Sequence, residues 1–184
     1  MDKTHRDEFE RLFLVEQLPE PLTRADRHLQ IFDNYLEGTR LRLRSVRVPE
    51  TKQWSWILEQ RFPAGGDSAH WKTAAIDLDE AEYHRFKTFE GNEIRKNRHF
   101  FELEDGPTVW IDLFLGPLWG LNIAKVRFDT LDEIRRFEPR PFMALEVTDA
   151  DFFRGANLVG KNFADVQREV VRLVETNRSA QGND

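Results

Sequence analysis

The sequence predicts an α+β domain whose antiparallel strands suit a β-barrel with a polar interior and helices packed outside it. Three observations carry this. The segment Pro107 to Phe128, PTVWIDLFLGPLWGLNIAKVRF, is a hairpin: two runs of β-branched, aromatic and large aliphatic residues punctuated by Gly116, Pro117 and Gly120. Further runs alternate basic and apolar residues with period two, most strictly Thr39-Arg40-Leu41-Arg42-Leu43-Arg44. Segments 79–87, 130–137 and 163–177 instead read as helices, the first with acids in its opening turn and the second with Thr130 and Glu133 at capping-box spacing.

Composition bounds the rest. With 184 residues, the chain suits one domain (1–184), with a core over 8–163, a C-terminal helix over 163–177 and a frayed tail at 179–184. Its 15 Phe and 5 Trp make it too aromatic for a disordered chain. The absence of cysteine excludes disulfides and thiolate metal sites. No apolar run approaches the roughly 18 residues of a membrane span, and the start MDKTHRDEFE does not resemble a signal peptide, so the expected compartment is the cytoplasm. A net charge of −6 argues against a general nucleic-acid coat, although it says nothing about a local basic pocket.

In chain order, Glu8 to Val15 alternates and then turns apolar, placing Glu8 and Glu10 on one face of a first strand. His28 to Leu36 is a second strand. In the third, Arg40, Arg42 and Arg44 share a face, where three guanidiniums repel one another unless anions sit between them; the planar fork of arginine suits phosphate oxygens. Strands at Trp54–Phe62 and around His70–Ile76 follow. After the first helix, the run from Ile94 to Phe101 puts Lys96 and Arg98 on one face. In the hairpin, Trp110, Asp112 and Phe114 share one face of the outgoing strand, and Lys125 and Arg127 oppose the apolar Ala124, Val126 and Phe128 on the return. Taken alone, such faces fit a solvated, half-buried sheet as well as a barrel interior.

The order Asp112-x-Phe114-x-Gly116, then Gly120-Leu121 and Ala124, resembles the hairpin of the CYTH family of adenylate cyclases and triphosphatases, also called triphosphate tunnel enzymes. Glu8-x-Glu10 resembles that family's opening strand, the arginine strand its Arg-x-Arg, Lys96-x-Arg98 its Lys-x-Arg, and Glu146-Val147-Thr148 its closing segment. The resemblance runs from about Glu8 to Phe163 and implies a closed or nearly closed barrel of about eight strands around a charged tunnel. It further implies phosphate binding by Arg40, Arg42, Arg44, Lys96, Arg98, Lys125 and Arg127. Glu8, Glu10 and Asp112 would be the catalytic carboxylates, holding Mg²⁺ or Mn²⁺. Either Arg40 and Arg42 or Arg42 and Arg44 fit the arginine pair.

The departures from the family are specific. Leu12 stands at the expected lysine, Asp33 at a glutamine, Trp110 at a glutamate, and Lys125 and Arg127 at both positions of a later Glu-x-Glu. No lysine is matched on the Trp54–Gln60 strand, and the strand near His70 lacks alternating glutamates. The expected ligand is therefore a phosphorylated small molecule or polyphosphate, bound with weak or no hydrolysis. The alternatives are a working metal-dependent triphosphatase and a partner- or nucleic-acid-binding module that uses the basic face.

Overall fold

The computed structural model describes residues 5–89 and 91–181. Eight strands form one closed antiparallel barrel: β1 (Arg6–Leu14), β2 (Leu29–Leu36), β3 (Leu41–Arg47), β4 (Trp54–Pro63), β5 (His70–Leu78), β6 (Gly91–Phe101), β7 (Val109–Phe114) and β8 (Asn122–Phe128). Their order is β5-β4-β3-β2-β6-β7-β8-β1, and Arg6 to Phe9 of β1 pair with β5 to close it. Closure uses only the first half of β1. Beyond it, the short β9 (Leu145–Glu146) takes over the same edge at Phe13 and Leu14, and Val147 N–H donates to the Leu12 carbonyl. The seam between β5 and β9 is thus filled by the segment around residue 147.

Among the described residues there are four α-helices, α1 (Glu80–Phe86), α2 (Leu131–Arg136), α3 (Gly155–Leu158) and α4 (Phe163–Gln181), and short 3-10 turns at Gly116–Leu118 and Asp151–Phe153. The Asp79 carboxylate and the Glu82 side chain cap α1 reciprocally, and Tyr83 stacks on Trp56 outside β4. Thr130 caps α2, but Glu133 reaches back to the Asp129 N–H rather than to the cap residue itself. The last helix continues to Gln181, past the expected end at residue 177, because its polar sequence meets no breaker there. Residues 179–181 of the expected frayed tail are therefore helical, and 182–184 lie outside the described residues.

Apolar side chains pack in two places. Outside the sheet, Phe13, Val109, Ile111, Leu113, Ala124 and Val126 bury against Met143. At one barrel end, the inward Leu12, Phe114 and Ile123 meet Phe153, Leu158 and Val166 from the C-terminal segment. The approach of α4 depends on Gly120, at φ 105°, where an added Cβ would stand 2.9 Å from the Phe163 ring. None of the described helices is long and apolar enough to cross a membrane.

His99 on β6 faces away from the interior and is wholly buried, 5.1 Å from the His28 ring; neither of its nitrogens has a hydrogen-bond partner among the described residues. Burial pushes its pKa down, and the neighbouring His28 adds to the effect. Because the folded value is the lower one, the neutral ring contributes stability that is complete above about 6.5 and is lost as pH falls below that toward the folded value. Urea denaturation between pH 7 and pH 5 should show a falling midpoint, and His99→Phe should flatten the slope. An equal slope in the variant would assign the effect elsewhere.

Candidate functional site

Strand register sets which side chains meet inside the barrel. Asp33 pairs with Arg44 and Tyr35 with Arg42 across β2 and β3; Arg42 faces Glu59 across β3 and β4; Arg61 faces Thr73 across β4 and β5. On the other side Arg98 opposes Asp112, Trp110 opposes Lys125, and Arg127 opposes Glu10. Directly opposed residues share a sheet face, so closing the barrel turns all of these side chains inward, while on β5 the polar His70 and Lys72 alternate to the outer face. The charged faces read from the sequence are interior ones.

A cavity of about 590 Å³ occupies one end, walled by Glu10, Arg42, Glu59, Arg61, Lys96 and Lys125 among others. The exposed Glu37, Thr39 and Arg40 line it where β2 turns into β3, so its mouth lies there. Arg40 precedes β3 because Thr39 is spent on the turn, its hydroxyl donating to the Leu36 carbonyl and accepting from Leu41 N–H. Of Arg40, Arg42 and Arg44, the strand therefore carries the latter two, while Arg40 lies over the Phe62 ring at the rim. Toward the opposite end, Trp110 has the Arg98 and Arg127 guanidiniums over its ring, at 4.5 and 4.8 Å from the centroid.

The buried charges form two clusters. In the first, Asp33 accepts a bidentate pair from Arg44 at 2.6 and 2.8 Å, with Arg42 and Lys96 each at 3.5 Å. Asp112 accepts an equivalent pair from Arg98 and stands 2.8 Å from Lys96. Arg42 also reaches Glu59 and the Tyr35 hydroxyl. In the second cluster, Glu10 contacts Arg61 at 2.7 Å, Lys125 at 2.9 Å and Arg154 at 3.8 Å. Glu8 meets Arg127 at 3.0 Å and Arg61 at 3.7 Å.

These contacts decide the ionisation states. Burial alone would raise the carboxyl pKa values, but Lys125 and Arg61 outweigh it at Glu10, Arg98 and Lys96 at Asp112, and Arg42, Arg44 and Lys96 at Asp33. All three stay ionised well below the usual carboxylate range. Lys125 moves the other way: burial, only partly offset by Glu10 and reinforced by Arg61, pushes it down to about 7. Burial likewise depresses Lys96 and Arg154.

Of the residues picked out in the sequence, Arg42, Lys96, Lys125, Glu10 and Asp112 line the cavity wall and Arg40 its mouth. Arg44 and Arg98 sit behind that wall as partners of Asp33 and Asp112, and Arg127 and Glu8 lie farther along β8 and β1. Sequence reasoning missed Arg61, Arg154, Glu59 and the pairing role of Asp33. Glu59-x-Arg61 shows the same alternation as β3 and was legible; Arg154 lies in an irregular segment where no period applies.

A divalent ion needs several oxygens converging on one point. Among the described residues, no three His, Asp or Glu side chains are so placed. Glu8 and Glu10 on β1 are separated from Asp112 on β7 by β8, which carries Lys125 and Arg127 between them. The donor set does not fit the divalent metal of triphosphate tunnel enzymes.

No family profile matches the sequence, and no curated protein matches it either. Similarity appears among solved structures. The inorganic triphosphatase NE1496 superimposes with a TM-score of 0.55 at 22% identity, over 83% of this chain and 93% of its own. A structure of NE1496 described as a hypothetical protein gives the same score and identity, over 84% and 99%. PH1819 from Pyrococcus horikoshii OT3 gives 0.51 at 17% identity, over 70% and 82%. The chain therefore shares the fold of these proteins, an eight-stranded antiparallel barrel with flanking helices.

Proposed function

We propose that this protein binds triphosphate or polyphosphate chains inside the barrel, with weak or no hydrolysis. The observation that carries the reading is the interior charge. Arg42, Arg44, Arg61, Lys96, Arg98, Lys125, Arg127 and Arg154 outnumber Glu8, Glu10, Asp33, Glu59 and Asp112, and every one of those carboxylates already has a cation from the chain itself. Cations left in excess in a shielded cavity favour an anion, and arginine forks suit phosphoryl oxygens. The volume falls in the range of small-ligand sites and admits no duplex, which disfavours a nucleic-acid role.

Hydrolysis needs a group that positions and activates water and follows charge onto the leaving phosphate. Glu10 is held by Lys125 and Arg61, and its lowered pKa makes it a poor base. A second reading, an active metal-dependent triphosphatase, draws on the fold shared with NE1496 and is separated by measuring phosphate release with Mg²⁺ or Mn²⁺.

Tripolyphosphate at millimolar concentration in low salt should raise the melting temperature without added metal, because a ligand that binds only the folded state stabilises it by mass action. Affinity should rise as pH falls through about 7, since the bound anion favours protonated Lys125; calorimetry in buffers of different ionisation heat should register proton uptake. No thermal shift at any pH between 6 and 8 would count against the reading.

A further inference from the structure

Trp71 on β5 projects into the cavity wall with two guanidiniums over its ring, Arg61 at 4.5 Å and Arg154 at 4.7 Å. The stack is pinned from behind. The Trp71 indole N–H and Arg154 Nη2 both donate to the Ser68 carbonyl, at 3.1 and 2.8 Å, and Nη2 also donates to the Thr148 carbonyl. Arg154 is thereby fixed at the seam between β5 and β9, with only 9% of its side chain exposed.

This fixation leaves donors unused. Arg154 Nε and Nη1 and Arg61 Nε and Nη2 are buried without a hydrogen-bond acceptor; the 2.7 Å approach of Arg61 to Glu10 is an ion pair lacking hydrogen-bond alignment. Buried guanidinium N–H groups are costly to leave unmade, and ion-paired structural arginines are normally saturated. Locally, Arg61, Arg154, Lys125 and Arg127 share two ion-paired carboxylates, Glu10 and Glu8, so the deficit is of negative charge as well as of acceptors. In the other cluster the Arg44 and Arg98 forks are engaged by Asp33 and Asp112, and Arg42 Nε is the one buried guanidinium nitrogen among the described residues there without an acceptor, against four around Trp71.

We propose that Arg154, with Arg61 over the same Trp71 ring, forms a separate anion subsite that takes one phosphoryl group of a condensed phosphate, while Arg42 and Lys96 of the Asp33 cluster hold another. The inference rests on the phosphate-binding reading and adds to it a selectivity: a chain that reaches both clusters is preferred to orthophosphate, which reaches one. The phosphate chain is the recognised element, whether free or attached to a nucleoside.

The test is calorimetric titration of wild type, Arg154→Gln and Arg154→Lys with orthophosphate, tripolyphosphate and a nucleoside triphosphate, alongside the thermal stability of each unliganded protein. Arg154→Gln should weaken both triphosphates by about ten- to a hundredfold and orthophosphate by less than about threefold, with Arg154→Lys intermediate because it keeps charge but not the fork. Unchanged triphosphate affinity in a folded variant, an equal loss for all three ligands, or a loss confined to the nucleotide would each overturn the subsite. Should both variants fail to fold, Trp71→Phe leaves the carbonyl anchors of Arg154 in place. Loss of the tripolyphosphate-induced fluorescence change in that variant supports the placement, and an undiminished change overturns it. A wild type that binds no tripolyphosphate sinks the phosphate-binding reading itself.

Discussion

Replacing Asp33 by Ala should lower the unfolding free energy by about 3–5 kcal/mol, the cost of breaking a buried ion pair from one side. Asp33 is fully buried and is shared by Arg44, Arg42 and Lys96, so its removal strands Arg44 and leaves Arg42 with Glu59 alone and Lys96 with Asp112 alone. The same argument predicts a partial rescue. Tripolyphosphate should restore more stability to the variant than it adds to the wild type, because the anion now meets Arg44 without its carboxylate and Arg42 and Lys96 with one partner fewer each. Urea denaturation with and without ligand makes both comparisons. A loss under about 1 kcal/mol, typical of exposed pairs, would mean that water reaches these cations freely. The acid limb follows the same sign: with folded carboxyl pKa values depressed at Asp33, Glu10 and Asp112, their contribution is present above the unfolded value and is lost as pH falls below it.

Much of this arrangement was legible because alternation is a local property. The residues of Trp110-x-Asp112 and Lys125-x-Arg127 had to share faces once their segments were strands, and Glu8-x-Glu10 likewise. What alternation cannot say is which face closes inward, since a solvated sheet carries the same pattern; that came from closure of β1 on β5 over four residue pairs. Pairing across strands was also out of reach. Asp33 reads as a single departure from a family glutamine, yet its position opposite Arg44 and beside Ile94 makes it the centre of a cluster. Arg154 was hidden for a different reason: it belongs to an irregular segment placed only by the tertiary seam. Gly155 shows how tight that placement is, because an added Cβ would stand 1.8 Å from the Tyr35 hydroxyl, itself an acceptor for Arg42.

Changing Lys125 and Arg127 together to Glu should convert the site from metal-independent to metal-dependent. The two cations stand on β8 between Glu10 and Asp112, and they balance Glu10 and Glu8 at 2.9 and 3.0 Å. Four carboxylates would then face one another across β1 and β8, an arrangement that like-charge repulsion penalises unless a divalent ion joins it. Electron paramagnetic resonance should therefore detect saturable Mn²⁺ binding in the variant and little in the wild type. Metal-free tripolyphosphate affinity should fall by about tenfold or more, as expected from losing charge-assisted contacts. Arg61 remains beside Glu8 and Glu10, so the new site should be weaker than one made of carboxylates alone, and adding Arg61→Ala should strengthen it. The wild type supplies the decisive control. Tight Mn²⁺ binding by the unaltered protein, with brisk release of phosphate from tripolyphosphate, would show that Lys125 and Arg127 do not stand in for the ion and would establish the hydrolytic reading instead.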